Sequence, residues 1–250
     1  MEQKLHTPEG VRDIYNKECE TKLTLQRKLN KVLHLYGYQD IQTPTFEYYE
    51  VFRKEIGSTS TQELYKFFDR EGNILALRPD ITPSVARAAA TLFESEDMPI
   101  RLCYAGNTFI NHSSYQGRLK ENTQLGAELI GLDSVEADAE MLAMVVDSLK
   151  QVGLEEFQVS LGHVDFIQSL LKAAGLEEDE NREIRTLITN RNFFGVEEIL
   201  DAHQVKESVR EAFRLLPELT GGPEVLELAM GAAPDLDARL AVTRLQQIFR

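Results

Sequence analysis

The sequence predicts an α+β fold: a mostly antiparallel sheet flanked by helices, followed by a helical C-terminal segment. Two observations lead there. Between residues 1 and 162, stretches with apolar residues at helical spacing alternate with short strand-like runs, two of them separated by the hairpin turn Arg70-Glu-Gly-Asn73. From residue 163 onward only helical spacing recurs. The expected division is therefore 1–162 for the sheet domain and 163–250 for a helical segment packed on it, an insertion or part of a longer chain.

The elements follow in order. Thr7 to Asp13 is a turn-rich entry. Leu23, Leu25, Leu29, Val32, Leu33 and Tyr36 recur at helical spacing from about Asn16 to Tyr36, and Gly37 ends that helix as a C′ residue. Tyr38 to Thr43 alternates like a strand until Pro44 interrupts it. Glu47 to Ile56 reads as a short helix. Tyr65–Asp69 and Ile74–Arg78 read as the two strands of a hairpin. Thr82 is the expected N-cap, and Pro83 the first residue, of a helix to about Phe93. Strands are expected at about 100–109 and 121–131, a helix capped by Ser134 as far as Val152, and a strand at Phe157–Leu161. Helices then run at about 164–174, 179–189, 194–201, 205–215, 223–231 and 235–249, with Gly221-Gly-Pro223 as a break. The last pattern runs almost to the final residue, so a fragment of a longer product or a natural truncation is expected.

Composition narrows the function. Forty-two per cent hydrophobic residues support a real core, and 27% charged residues fit an aqueous protein. A net charge of −14 and a pI near 4.9 argue against a generic nucleic-acid binder. No apolar run approaches the roughly 18 residues of a membrane span, and Met1–Leu5 is not a signal region, so the cytoplasm is expected. Cys19 and Cys103 lack CxxC spacing and read as buried thiols; His6, His34, His112, His163 and His203 are scattered, so neither metal nor cofactor is expected.

The stretch richest in chemistry is Arg101-Leu-Cys-Tyr-Ala-Gly-Asn-Thr-Phe-Ile110, continuing through Gly117, Arg118, Gln124, Gly126 and Glu128 to Gly131. It resembles motif 2 of the class II aminoacyl-tRNA synthetases, most closely the histidyl enzyme. In that family the position of Ile110 is an arginine that grips the ATP α-phosphate, and the position of His112 is a glutamate. Isoleucine has no charge and no donor. Gly37 to Glu47, with Pro44, resembles motif 1, which implies a homodimer through the 20–50 region. Leu75-Ala-Leu-Arg78-Pro79-Asp80-Ile81-Thr82 resembles the family's Leu-Arg-Pro-Glu-Gly-Thr segment, which reads the substrate's α-amino group.

By the same resemblance Asp80, Thr82, Gln124 and Glu128 are candidate histidine-binding residues. Gln124 and Glu128 lie four apart on a strand and share a face, and two carboxylates with an amide suit an ammonium group and an imidazole N–H. Asp80 and Thr82 can equally serve as helix caps, and strand carboxylates are commonly solvated. Arg78, Arg101 and Arg118 are candidates for residual anion binding. His112, with Asn111 and Ser113, sits where catalytic charge would be, without an acid partner implied by spacing; His163 reads as a cap or core residue.

Pro8-Glu-Gly-Val-Arg-Asp13, Leu77-Arg-Pro-Asp-Ile-Thr-Pro83 and Tyr104-Ala-Gly-Asn-Thr-Phe109 resemble the non-catalytic synthetase paralogues that serve as regulatory subunits of ATP phosphoribosyltransferase. The resemblance implies no catalytic residue in this chain, a short catalytic subunit as partner, and L-histidine as effector in feedback control of histidine biosynthesis. A histidyl-tRNA synthetase fragment and a ligand-free dimerisation module are the alternatives.

Overall fold

The computed structural model describes residues 5–53, 60–93, 98–112 and 117–250. The chain divides into two compact units, Met1–Glu156 and Phe157–Arg250.

In the first unit, α1 (Asn16–Leu35) ends at Tyr36, and Gly37 adopts φ 84°, a left-handed conformation that a side chain would strain. That reversal feeds β1 (Gln39–Asp40), which runs parallel to β5 (Ile100–Phe109). Beside β5, and antiparallel along its whole length, lies β6 (Glu121–Ile130). The sheet order is β1-β5-β6, so β6 is an edge strand among the described residues. A second sheet, ordered β2-β4-β3, is antiparallel throughout: β2 (Phe46–Tyr48), β3 (Lys66–Phe68) and β4 (Ile74–Leu77).

Strand alternation sorts the first sheet's side chains onto two faces. Cys103, Leu125, Ala127 and Leu129 pack with Leu33 and Tyr38 and with Met141 and Met144 of α3 (Val135–Gln151). Leu102, Tyr104, Ile100 and Ile130 lie on the other face with Ile81 and Val85 at the start of α2 (Thr82–Leu92). The α2 face is the one that also carries Gln124 and Glu128. Ser134 caps α3 as expected, its side chain accepting from the Ala137 N–H.

Four expectations need correction. Glu47 to Ile56 is not a helix: Glu47 and Tyr48 belong to β2, only Tyr49–Val51 turns as a short 3₁₀ segment, and 54–56 lie outside the described residues. Glu47 points inward from β2 and meets Arg87 at 2.7 Å, a non-local ion pair that decides for strand. Only Gln39–Asp40 of the Tyr38–Thr43 run pairs as strand. Phe157–Leu161 forms no strand; it has no ladder partner among the described residues, and Val159 and Leu161 are exposed. Thr82 is not the cap of α2 but its first residue, because Asp80 Oδ1, two residues back, accepts the Thr82 N–H at 3.1 Å.

The second unit is helical: α4 (Val164–Ala174), α5 (Glu178–Thr189), α6 (Phe193–Ala202), α7 (Glu207–Leu215), α8 (Val225–Ala232) and α9 (Leu236–Ile248). Their apolar stripes meet in one core that includes Leu170, Ile184, Leu200, Phe213 and Val242. His163, Asn192 and Asp235 cap α4, α6 and α9 with side-chain acceptors, which fixes where those helices begin. No helix among the described residues is long and apolar enough to cross a membrane.

Candidate functional site

The β5–β6 pair and the start of α2 bring the four candidate ligand residues into one hydrogen-bonded cradle. The Gln124 amide donates from Nε2 to Asp80 Oδ1 at 2.9 Å and accepts the Ile81 N–H at Oε1 at 3.0 Å. This bridge clamps the Asp80–Thr82 turn to β6. One turn of the pleat further along, Thr82 Oγ1 donates to Glu128 Oε1 at 2.8 Å. Tyr104, on β5, also donates to Glu128 Oε1, at 3.1 Å, and its oxygen lies 3.2 Å from Thr82 Oγ1. The protein's donors thus converge on one oxygen of each carboxylate. Among the described residues no hydrogen bond reaches Asp80 Oδ2 or Glu128 Oε2.

Tyr104 is buried, and burial, with the carboxylates nearby, pushes its phenol well above its ordinary value. It stays a neutral donor at any working pH. Space for its hydroxyl comes from Gly126, where a Cβ would sit 2.5 Å from the Tyr104 oxygen. In the sequence Tyr104 stands out only as part of the segment Tyr104–Phe109. The signal that could have singled it out is that glycine: the register pairs Tyr104 with Gly126, and a large polar ring facing a glycine leans across the partner strand.

The proposed anion contacts separate. Arg78 is buried and structural, with Nε donating to the Asn107 carbonyl at 2.8 Å and Nη1 to the Thr43 carbonyl at 2.9 Å. Burial lowers its pKa from the ordinary arginine value. It ties the segment before β2 to β5, and Gly106 leaves room for it, since a Cβ there would collide with Arg78 Nη2. Arg101, expected to bind an anion, instead makes a two-pronged pair with Glu140 of α3, at 2.9 and 2.8 Å. The Arg101 hydrogen bond is the main reason the Glu140 carboxyl sits below its ordinary value. Tyr38 adds a donor to Glu140 at 3.1 Å and is itself pushed up to about 12, chiefly by burial. Arg118 is exposed and forms no ion pair among the described residues.

At the position of the motif 2 arginine, the Ile110 N–H donates to the Lys120 carbonyl at 2.9 Å, continuing the hairpin just beyond β5. The Asn111 N–H donates to the Glu63 carbonyl, and His112 Nδ1 lies 3.2 Å from Glu63 Oε1. His112 therefore has an acid partner that sequence spacing did not imply. Ser113 lies outside the described residues.

The profile of the histidyl-tRNA synthetase family matches residues 10–250. The chain belongs to that family. Curated relatives include two proteins named ATP phosphoribosyltransferase regulatory subunit. The one from Acetivibrio thermocellus is 40% identical over 226 residues, 90% of this chain and 54% of the relative. The one from Desulforamulus reducens is 39% identical over 241 residues, 96% of this chain and 59% of the relative. A crystal structure described as an ATP phosphoribosyltransferase regulatory subunit/histidyl-tRNA synthetase from Bacillus halodurans C superimposes with a TM-score of 0.90. Its sequence is 30% identical, and the match covers all of this chain and 65% of the other. The chain thus spans a little over half the length of these curated relatives.

Proposed function

We propose that this chain is the synthetase-like part of a non-catalytic regulatory subunit of ATP phosphoribosyltransferase, and that its α2–β6 cradle takes an imidazole-bearing amino acid without activating it. The observation that carries the reading is the pairing of the four-residue cradle with an isoleucine at the phosphate-gripping position. Asp80, Thr82, Gln124 and Glu128 keep two carboxylate oxygens available to an ammonium and an imidazole N–H. Ile110 can neither donate to a phosphate nor offset the charge that develops in adenylate formation. Loss of one preorganised contact of that kind costs on the order of 10²–10³ in rate. The relatives named as regulatory subunits support the same reading.

Regulation in this scheme is a coupling free energy. Histidine favours one state of the complex, the short catalytic subunit favours another, and each shifts the other's affinity reciprocally. Coupling of this type is typically about 1–3 kcal/mol. The complex would be cytoplasmic. A homodimer through the 20–50 region is part of the proposal: Phe46, Tyr48 and Phe67 leave an aromatic face of the second sheet exposed, more than scattered surface residues require.

The test is phosphoribosyltransferase activity of a short-form catalytic subunit with and without this chain, across a histidine titration. Activity that rises on mixing and falls with histidine supports the proposal. Histidine-dependent ATP–pyrophosphate exchange by this chain alone would sink it in favour of a working synthetase. An absence both of association with the catalytic subunit and of any change in its activity would leave the dimerisation module.

A further inference from the structure

His34 and Asp40, six residues apart, meet the distant Cys103 at the start of the first sheet. His34 lies in the last turn of α1, Asp40 in β1 and Cys103 in β5. The reversal at Gly37 folds β1 back beneath the end of α1. The parallel register then sets Asp40 directly beside Cys103. His34 Nε2 lies 3.0 Å from Asp40 Oδ2, and Cys103 Sγ lies 3.6 Å from Asp40 Oδ1. All three ligand atoms fall within 4.8 Å of one another.

We propose that His34, Asp40 and Cys103 form a binding site for a borderline divalent cation of the zinc type. Bonds of about 2.0–2.3 Å in a tetrahedral site put neighbouring ligand atoms roughly 3.3–3.6 Å apart, and rotation of the exposed His34 and Asp40 side chains closes the remaining gap from 4.8 Å. The mixed imidazole, carboxylate and thiolate set favours zinc over magnesium or calcium, which take oxygen ligands. Charge also balances. One thiolate and one carboxylate neutralise a dication, and the neutral imidazole completes three protein ligands. The fourth position faces water, because the His34 and Asp40 side chains are 46% and 61% exposed while Cys103 is fully buried.

Without a cation, burial and the neighbouring carboxylate push the Cys103 thiol up to about 11, so it stays protonated. A bound dication displaces that proton to solvent and forms the metal–sulfur bond; no oxidant or reductant is involved. The site would clasp α1 to the central strand and would be independent of the histidine cradle, which lies on the opposite face of β5.

The test uses untagged, metal-free protein titrated with cobalt(II), which reports thiolate ligation spectroscopically. One equivalent is expected to give a near-ultraviolet thiolate-to-cobalt band and strong visible absorption of a four-coordinate ion, both removed by zinc. Cys103→Ser should lose the band and Cys19→Ser should keep it. Because Cys103 is buried, the exposed His34→Ala and Asp40→Asn variants provide the check that does not disturb the core; each should weaken binding at least about tenfold. Zinc should also raise the unfolding midpoint of the wild type but not of His34→Ala. No thiolate band at saturating cobalt, or a band that persists in Cys103→Ser, would overturn the assignment.

Discussion

The Tyr104 hydroxyl reaches Glu128 Oε1 at 3.1 Å across the β5–β6 pair, two residues along β6 from its register partner Gly126. This is a diagonal cross-strand contact, and it exists because residue 126 has no side chain. Tyr104 and Thr82 both donate to Glu128 Oε1, and together they orient the carboxylate.

Gly126→Ala should therefore displace the tyrosine ring. A methyl group at that point overlaps both the hydroxyl and the ring carbon bearing it, and overpacking of this kind costs about 1–3 kcal/mol. Urea unfolding should show the loss. An unchanged midpoint would mean that the ring can swing aside freely.

Thr82→Val keeps shape and removes one donor from Glu128. If the cradle holds histidine, the carboxylate loses its orientation, and affinity should fall by roughly tenfold, the equivalent of about 1.4 kcal/mol. Glu128→Ala should abolish binding. Calorimetric titration with histidine checks both, and full affinity in Glu128→Ala would place any histidine site elsewhere.

Arg78→Met should destabilise the first unit without touching a ligand. It strips charged donors from the Asn107 and Thr43 carbonyls, and hydrogen bonds to a charged group contribute about 1.5–3 kcal/mol each. Thermal unfolding should move down by several degrees, and Arg78→Lys should not restore it, since one ammonium cannot span both acceptors in that planar geometry.

The Arg101–Glu140 pair predicts a pH dependence. Glu140 is held below its ordinary value of 4.5, chiefly by the Arg101 hydrogen bond. Its contribution to stability is present above the unfolded value and is lost as pH falls through the lower folded value. The stability gap between wild type and Glu140→Gln should thus be full near neutrality and close as the solution is acidified below about 4.5. Chemical denaturation across that range measures it. A gap that does not change with pH would mean that the pair's ionisation contributes nothing.

Local chemistry was the legible part of this fold. The helices after residue 163 could be read because each carries its own amphipathic stripe, and several carry their own cap, as His163 and Asp235 do. Both strands of the β5–β6 hairpin were legible because they lie in the one contiguous stretch that resembles motif 2. What failed was non-local. Glu47 has a helical look until Arg87, forty residues on, claims it for a strand. Phe157–Leu161 has strand composition but no ladder to join among the described residues. The four cradle residues could be proposed because a family pattern fixed their places. Tyr104, the Glu63–His112 contact and the commitment of Arg101 to Glu140 depend on which strand neighbours which helix, and spacing carries no trace of that.

The edge position of β6 bears on how the cradle could be completed. A ten-residue strand with one flank unpaired among the described residues is a template for another strand. A strand laid there would run about 4.8 Å from β6, and its alternate side chains would stand beside Gln124 and Glu128 on the same face. Extending the sheet and walling in the cradle would then be a single event, so pocket affinity and strand docking at this flank would report on each other.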